Sequence, residues 1–177
     1  MAERQAIRLE GKAAESEFRR LVQESRASDE AKRGDVIVPV DGVDHYVEVK
    51  ECHAAAGAGG TINQVRAIKF ITCVVWAPNH RCWYILSPDQ LVRLAATKTR
   101  GQHTEIPFES MNFTLASLGD QFHSKATDDT LDREVRAAIR RGLAAGELRK
   151  LMESLLKEIH QVRTQWIEKV RGADLHG

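Results

Sequence analysis

The stretch Gly34-Asp35-Val36-Ile37-Val38-Pro39-Val40-Asp41-Gly42-Val43-Asp44-His45-Tyr46-Val47-Glu48-Val49-Lys50 decides how the chain is read. Two runs rich in β-branched residues, 35–40 and 45–50, flank an Asp41-Gly42 pair. Such side chains fit a pleated surface, and Asp-Gly suits the positive φ angles of a tight hairpin turn. Pro39 has no N–H to give a neighbouring strand, which predicts an edge or an irregularity near the end of the first run. Side chains alternate across a strand, so Val47 and Val49 are expected to face a core, while Tyr46, Glu48 and Lys50 share the other face.

Working outward, residues 13–26 predict an amphipathic helix, with Ala14, Phe18, Leu21 and Val22 forming its apolar stripe. After the hairpin come a small-residue loop, 54–60, and Thr61 as an N-cap. Ile62, Val65, Ile68 and Phe70 then predict another helix. Runs 72–76 and 83–86 read as strands joined by a turn through Pro78-Asn79, and Ser87-Pro88-Asp89 opens a helix to about residue 96. Residues 97–118 are less regular, with an extended segment expected near 103–108. From Asp128 onward helix is expected, interrupted near Gly142 and Gly146. The last helix carries Leu148, Met152, Leu155, Ile159, Val162 and Trp166 at alternating spacings of four and three, a heptad seam that must be covered.

With 177 residues, 42% hydrophobic and 29% charged, the chain is long enough for one cored domain and an appendage, and its composition excludes disordered and collagen-like classes. The formal charge is only +1, so any nucleic-acid binding must come from a local patch. That near-neutrality hides an asymmetry: residues 1–51 are net −3, 52–118 net +3 and 119–177 net +1. Three widely spaced cysteines, Cys52, Cys73 and Cys82, with no signal-peptide pattern, lead to the expectation of a reducing cytoplasm. The apolar run at 71–77 is too short to span a bilayer, so no membrane is expected as a partner.

Asp35, Glu48 and Lys50 form the informative chemical set. Hard carboxylate oxygens on two adjacent strands suit Mg2+, which binds through one or two carboxylates plus water and substrate phosphate. A neighbouring ammonium can orient an attacking water and stabilise charge developing on phosphate oxygens. The chemistry indicated is metal-assisted hydrolysis of a phosphodiester. Taken alone, Glu48 and Lys50 could equally be an ion pair on a sheet face.

Asp35, followed after twelve residues by Glu48-Val49-Lys50 on an apolar strand, resembles the core of the PD-(D/E)XK nuclease superfamily, which includes type II restriction endonucleases and archaeal Holliday-junction resolvases. The expected order of elements over residues 11–95 is similar to that family's. Gly34 stands where the family pattern often has proline. The resemblance implies an α/β restriction-endonuclease-like core, an α-β-β-α-β mixed sheet flanked by helices, over 1–118. Residues 119–177 would be a C-terminal helical extension that either covers the core or dimerises.

What the resemblance implies for the site is specific. Asp35, Glu48 and Glu15 would hold Mg2+, for which Mn2+ could substitute, with Glu17 the alternative to Glu15. Lys50 would orient the water, and Gln64, on the helix after the loop, would support Lys50 or a phosphate. The function implied is a DNA endonuclease, most like a type II restriction enzyme cutting duplex DNA as a homodimer through the C-terminal helices. A junction resolvase, and a non-catalytic DNA-binding or scaffolding subunit on the same fold, are the alternatives. Arg66, Lys69, Lys98, Arg100 and His103, in a stretch poor in acids, are the expected DNA contacts. Cys52, His53, Cys73, His80 and Cys82 lack the paired short spacings of a zinc ribbon, and the glycine-rich loop lacks a Gly-Lys-Ser/Thr ending.

Overall fold

A computed structural model describes residues 2–30, 32–55 and 59–173. The hairpin forms as its turn chemistry requires. Strand β2 (Val36–Val40) and strand β3 (Val43–Glu51) pair antiparallel from Val36 opposite Val47 to Val40 opposite Val43. The connection is the two residues Asp41 (φ 53°) and Gly42 (φ 79°), both in the left-handed region of a type I′ turn. A two-residue strand, β1 (Arg26–Ala27), covers only Val36 and Ile37, so Pro39 lies where β2 has become an outer edge.

Strands β5 (Thr72–Ala77), β6 (Cys82–Leu86) and β8 (Ser124–Ala126) complete the main sheet, six strands in the order β1-β2-β3-β5-β6-β8. The β3–β5 pair is parallel and the others antiparallel. Helix α1 (Ala2–Leu21) and helix α3 (Leu131–Ala144) pack on one face. There Ala14, Phe18 and Val22 meet Val36, Val47, Val49, Val74 and Trp83, with Leu131, Val135 and Ala138 behind. Helix α2 (Pro88–Ala96), a two-stranded sheet of β4 (Thr61–Val65) and β7 (Met111–Thr114), and the first half of helix α4 (Gly146–Ala173) cover the other face. The molecule is therefore a mixed α/β fold, its central sheet flanked by helices.

Ser87 starts α2 with a full capping box: its side chain accepts from the third helical residue, and its N–H donates to Gln90 Oε1 at 3.0 Å. Other expectations need correction. The helix expected over 62–70 is instead β4 followed by a 3-10 turn, Ala67–Lys69. Ile62 and Val65 are buried, but they sit either side of an irregularity in the β4–β7 register where Gln64 takes φ 55°. An extra residue in a strand restores the inward direction after three positions, which mimics a helical repeat.

The extended segment expected near 103–108 lies later, in β7. Helix α1 ends at Leu21 rather than 26, because Glu24 turns at φ 58° into β1. A division after 118 does not separate a helical extension from the core, since β8 completes the main sheet and α3 builds its core. Residues 56–58 of the small-residue loop lie outside the described residues.

Candidate active site

The first strand of the hairpin positions Asp35 at its entry. Asp35 N–H donates to Val47 O at 3.0 Å, and its Oδ2 accepts from Val49 N–H at 2.8 Å, clamping the carboxylate against β3 between two valines. Gly34 makes this approach feasible: a Cβ there would stand 2.9 Å from Tyr46 Cβ and 3.2 Å from Val47 O. The glycine in place of proline thus has a local steric reason.

Alternation along β3 sends Val47 and Val49 into the α1/α3 core and Glu48 and Lys50 to the opposite face, beside Cys73 and Val75 of β5. Glu48 is 7% exposed, and its Oε1 lies 2.8 Å from Lys50 Nζ. Burial alone would lower the Lys50 ammonium. The Glu48 charge and hydrogen bond outweigh it and hold the group above its usual value.

Asp35 is pushed above the usual carboxylate value, chiefly by burial; the Val49 N–H opposes this and the Glu48 charge adds to it. Glu15 is raised by burial first and by Asp35 second, which places its carboxylate in the field of Asp35. Glu17 is instead paired with Arg20 at 2.6 Å and held below its usual value by that hydrogen bond. Of the two upstream acids, Glu15 feels the Asp35 charge and Glu17 is engaged by Arg20.

These buried, mutually repelling acids are a donor set that a hard divalent cation would relieve. Among the described residues, no three His, Cys, Asp or Glu side chains are grouped so as to hold a metal ion, so Asp35, Glu48 and Glu15 do not form a three-ligand set. Asp35 and Glu48 as a pair match an ion that keeps most of its water, as Mg2+ does, rather than one enclosed by protein. The three cysteines are free thiols.

Gln64 does not sit as expected. It lies exposed on β4 rather than on a helix, its N–H donates to Gln102 Oε1 at 2.7 Å, and the hydrogen bond of Lys50 goes to Glu48. Of the expected DNA contacts, Arg66, Lys69 and His103 line one cavity together with Arg163 of α4. Lys98 and Arg100 are not among its lining residues; Arg100 is exposed on the segment after α2. The Lys69 charge also favours the ionised form of Asp35. Arg163 leaves no signal in the sequence, where the heptads mark only the apolar side of α4. Arg149 and Lys32 leave none because nothing local marks which solvated cations converge.

No protein-family model matches the sequence, and no curated protein matches it. Among solved structures, a bacterial homing endonuclease, I-Ssp6803I, is similar at a TM-score of 0.46 and 14% identity, the alignment covering 78% of this chain and 97% of that one. No helix among the described residues is long and apolar enough to cross a membrane.

Proposed function

We propose that the protein is a Mg2+-dependent endonuclease that hydrolyses DNA phosphodiester bonds. The observation that carries this reading is the convergence, on one hairpin, of a backbone-clamped Asp35 with a buried Glu48 ion-paired to Lys50. Ion pairs on solvated sheet faces contribute little, whereas this one sits in a desolvated site beside two further acids, where charge is costly unless it is used.

Asp35 and Glu48 would hold the ion and Glu15 would support it from the edge; when bound, the ion supplies Lewis-acid stabilisation of charge on the phosphate. Lys50, fixed by Glu48, donates a hydrogen bond to the attacking water and aligns it with phosphorus. The water oxygen bonds to phosphorus and gives up one proton to solvent, the P–O3′ bond breaks, and O3′ leaves with a proton taken from solvent. The products are a 5′-phosphate and a 3′-hydroxyl. Arg66, Lys69 and His103, which line one cavity, would supply phosphate contacts, Arg163 there being paired with Glu109.

The finer reading is a type II restriction enzyme acting on duplex DNA as a homodimer. Support comes from α4, whose second half presents Val162, Trp166 and Ile167 to solvent, with Trp166 68% exposed. A two-fold dimer is what cutting both strands of a symmetric site requires.

The test is incubation of purified protein with plasmid and phage DNA in Mg2+, in Mn2+ and in chelator, beside Lys50→Ala. Cation-dependent fragments made by the wild type alone are expected. Absence of cleavage of duplex, junction and single-stranded substrates by folded wild type would sink the enzyme reading.

A further inference from the structure

Strand β3 outruns its parallel neighbour. Pairing with β5 begins only at Val47 opposite Thr72, so residues 43–46 have β2 on one side and no strand on the other. A cavity of about 370 Å3 occupies this notch, closed by the 3-10 turn, the end of α3 and the start of α4. A space of this size falls within the ordinary range for small-ligand sites.

Its lining combines two kinds of group. Lys32 and Lys69 supply positive charge, while Arg33 is paired with Glu30, Arg149 with the lining Glu153, and the lining Asp44 with Arg26. Tyr46 supplies an aromatic ring with the Arg33 guanidinium 4.4 Å from its centroid, among aliphatic walls from Ile68 and Leu143.

The cavity adjoins the candidate active site. Tyr46 is on the same face of β3 as Glu48, two residues away, and Lys69 lines both this cavity and the basic one beside it. An anionic group to engage Lys32 and Lys69 and a flat ring to lie against tyrosine and the apolar walls together describe a nucleotide. Resting on the nuclease reading, we propose that this notch receives one unpaired nucleotide of the bound strand, its base beside Tyr46 and its phosphate on Lys69. Enzymes that extrude a base hold it in part by stacking on aromatic and apolar side chains.

Binding in Ca2+ without cleavage tests this, by fluorescence anisotropy of three otherwise identical duplexes: fully paired, with a one-nucleotide bulge, and with an abasic bulge. The bulge is expected to bind about tenfold tighter than either control, the order expected for one base stacked on an aromatic side chain. Tyr46→Ala should collapse that ratio toward one, while Tyr46→Phe, which keeps the ring, should retain it. Deoxyadenosine monophosphate should compete better than inorganic phosphate. Equal affinity for all three duplexes, or phosphate competing as well as the nucleotide, overturns the proposal. Because Mg2+-dependent cleavage is scored separately, that failure would leave the nuclease reading standing.

Discussion

Replacing Asp35 by asparagine should stabilise the protein while destroying its activity. The Asp35→Asn side chain keeps the size of aspartate and an oxygen to accept the Val49 N–H, at 2.8 Å in the wild type, but removes one charge from a buried site already holding Glu48 and Glu15. Burial and Glu48 raise the Asp35 carboxyl above its ordinary 3.8, so the folded chain binds more protons than the unfolded one between those two values. Stability from this group is therefore present at low pH and lost as pH rises from about 3.8 through the folded value. At pH 7 in chelator the variant should gain about 1 kcal/mol, typical of relieving strain at a functional site. For a chain of this size that raises Tm by about 2–4 °C. The advantage should shrink as pH falls through the folded value, where the wild-type carboxyl takes up its proton.

Magnesium should act in the opposite sense. A tenfold excess over Kd stabilises a binding protein by about 1.4 kcal/mol, so wild type should draw level with the variant or pass it, while the variant barely responds. Scanning fluorimetry at two pH values, with chelator and with Mg2+, reads all four conditions. A variant that melts below wild type in chelator at pH 7, or equal Mg2+ shifts in both proteins, would refute the reasoning.

Other outcomes follow from the same geometry. Glu15→Gln should weaken Mg2+-dependent cleavage by roughly tenfold or more, as loss of a group supporting a metal ligand does, whereas Glu17→Gln, which breaks only an exposed pair with Arg20, should leave cleavage rates within error. Gly34→Ala forces a methyl to 2.9 Å from Tyr46 Cβ and should cost about 1–3 kcal/mol in denaturant unfolding; an unchanged midpoint would mean that Asp35 does not depend on this approach. On a duplex in Ca2+, Trp166→Glu should shift the sizing-column mass of the complex from two copies to one, with stability of the monomer altered by less than about 0.5 kcal/mol because the side chain is exposed; identical elution of both complexes would remove α4 as the dimer contact.

The hairpin was legible because local chemistry and global position agree there: Asp41-Gly42 needs a turn, the valines need a core, and both are satisfied by one geometry. The α2 start was legible for the same reason, its capping box being a self-contained hydrogen-bond exchange. The stretch 61–69 was not, because a register irregularity placed Ile62 and Val65 on a common buried side at helical spacing. Gln64 was carried with it, onto a helix that does not exist. Side chains gathered by tertiary closure alone, such as Arg149 on α4 facing Lys32 and Tyr46 across the notch, leave no local trace.

The heptads of α4 show why a correct periodicity can still leave the partner open. Met152 and Ile159 are buried, and Leu148 and Leu155 pack against the main core, so the first half of the seam is covered by the protein's own fold. Among the described residues, Val162, Trp166 and neighbouring Ile167 are the large apolar side chains exposed in the second half. Burying an aliphatic or aromatic side chain fully contributes about 1.5–3 kcal/mol, so three from each of two copies supply roughly 10 kcal/mol before costs. Association itself costs about 4–15 kcal/mol. The exposed half-seam is thus sufficient for a weak dimer and not for a permanent one. Near-neutral overall charge adds little attraction for DNA at a distance. Two weak terms can nonetheless reinforce each other: a duplex that holds two copies side by side raises their effective concentration to the millimolar range, where three apolar side chains per copy are enough. A dimer built on α4 would thus make assembly and DNA binding one coupled event, with the half-covered helix coupling them.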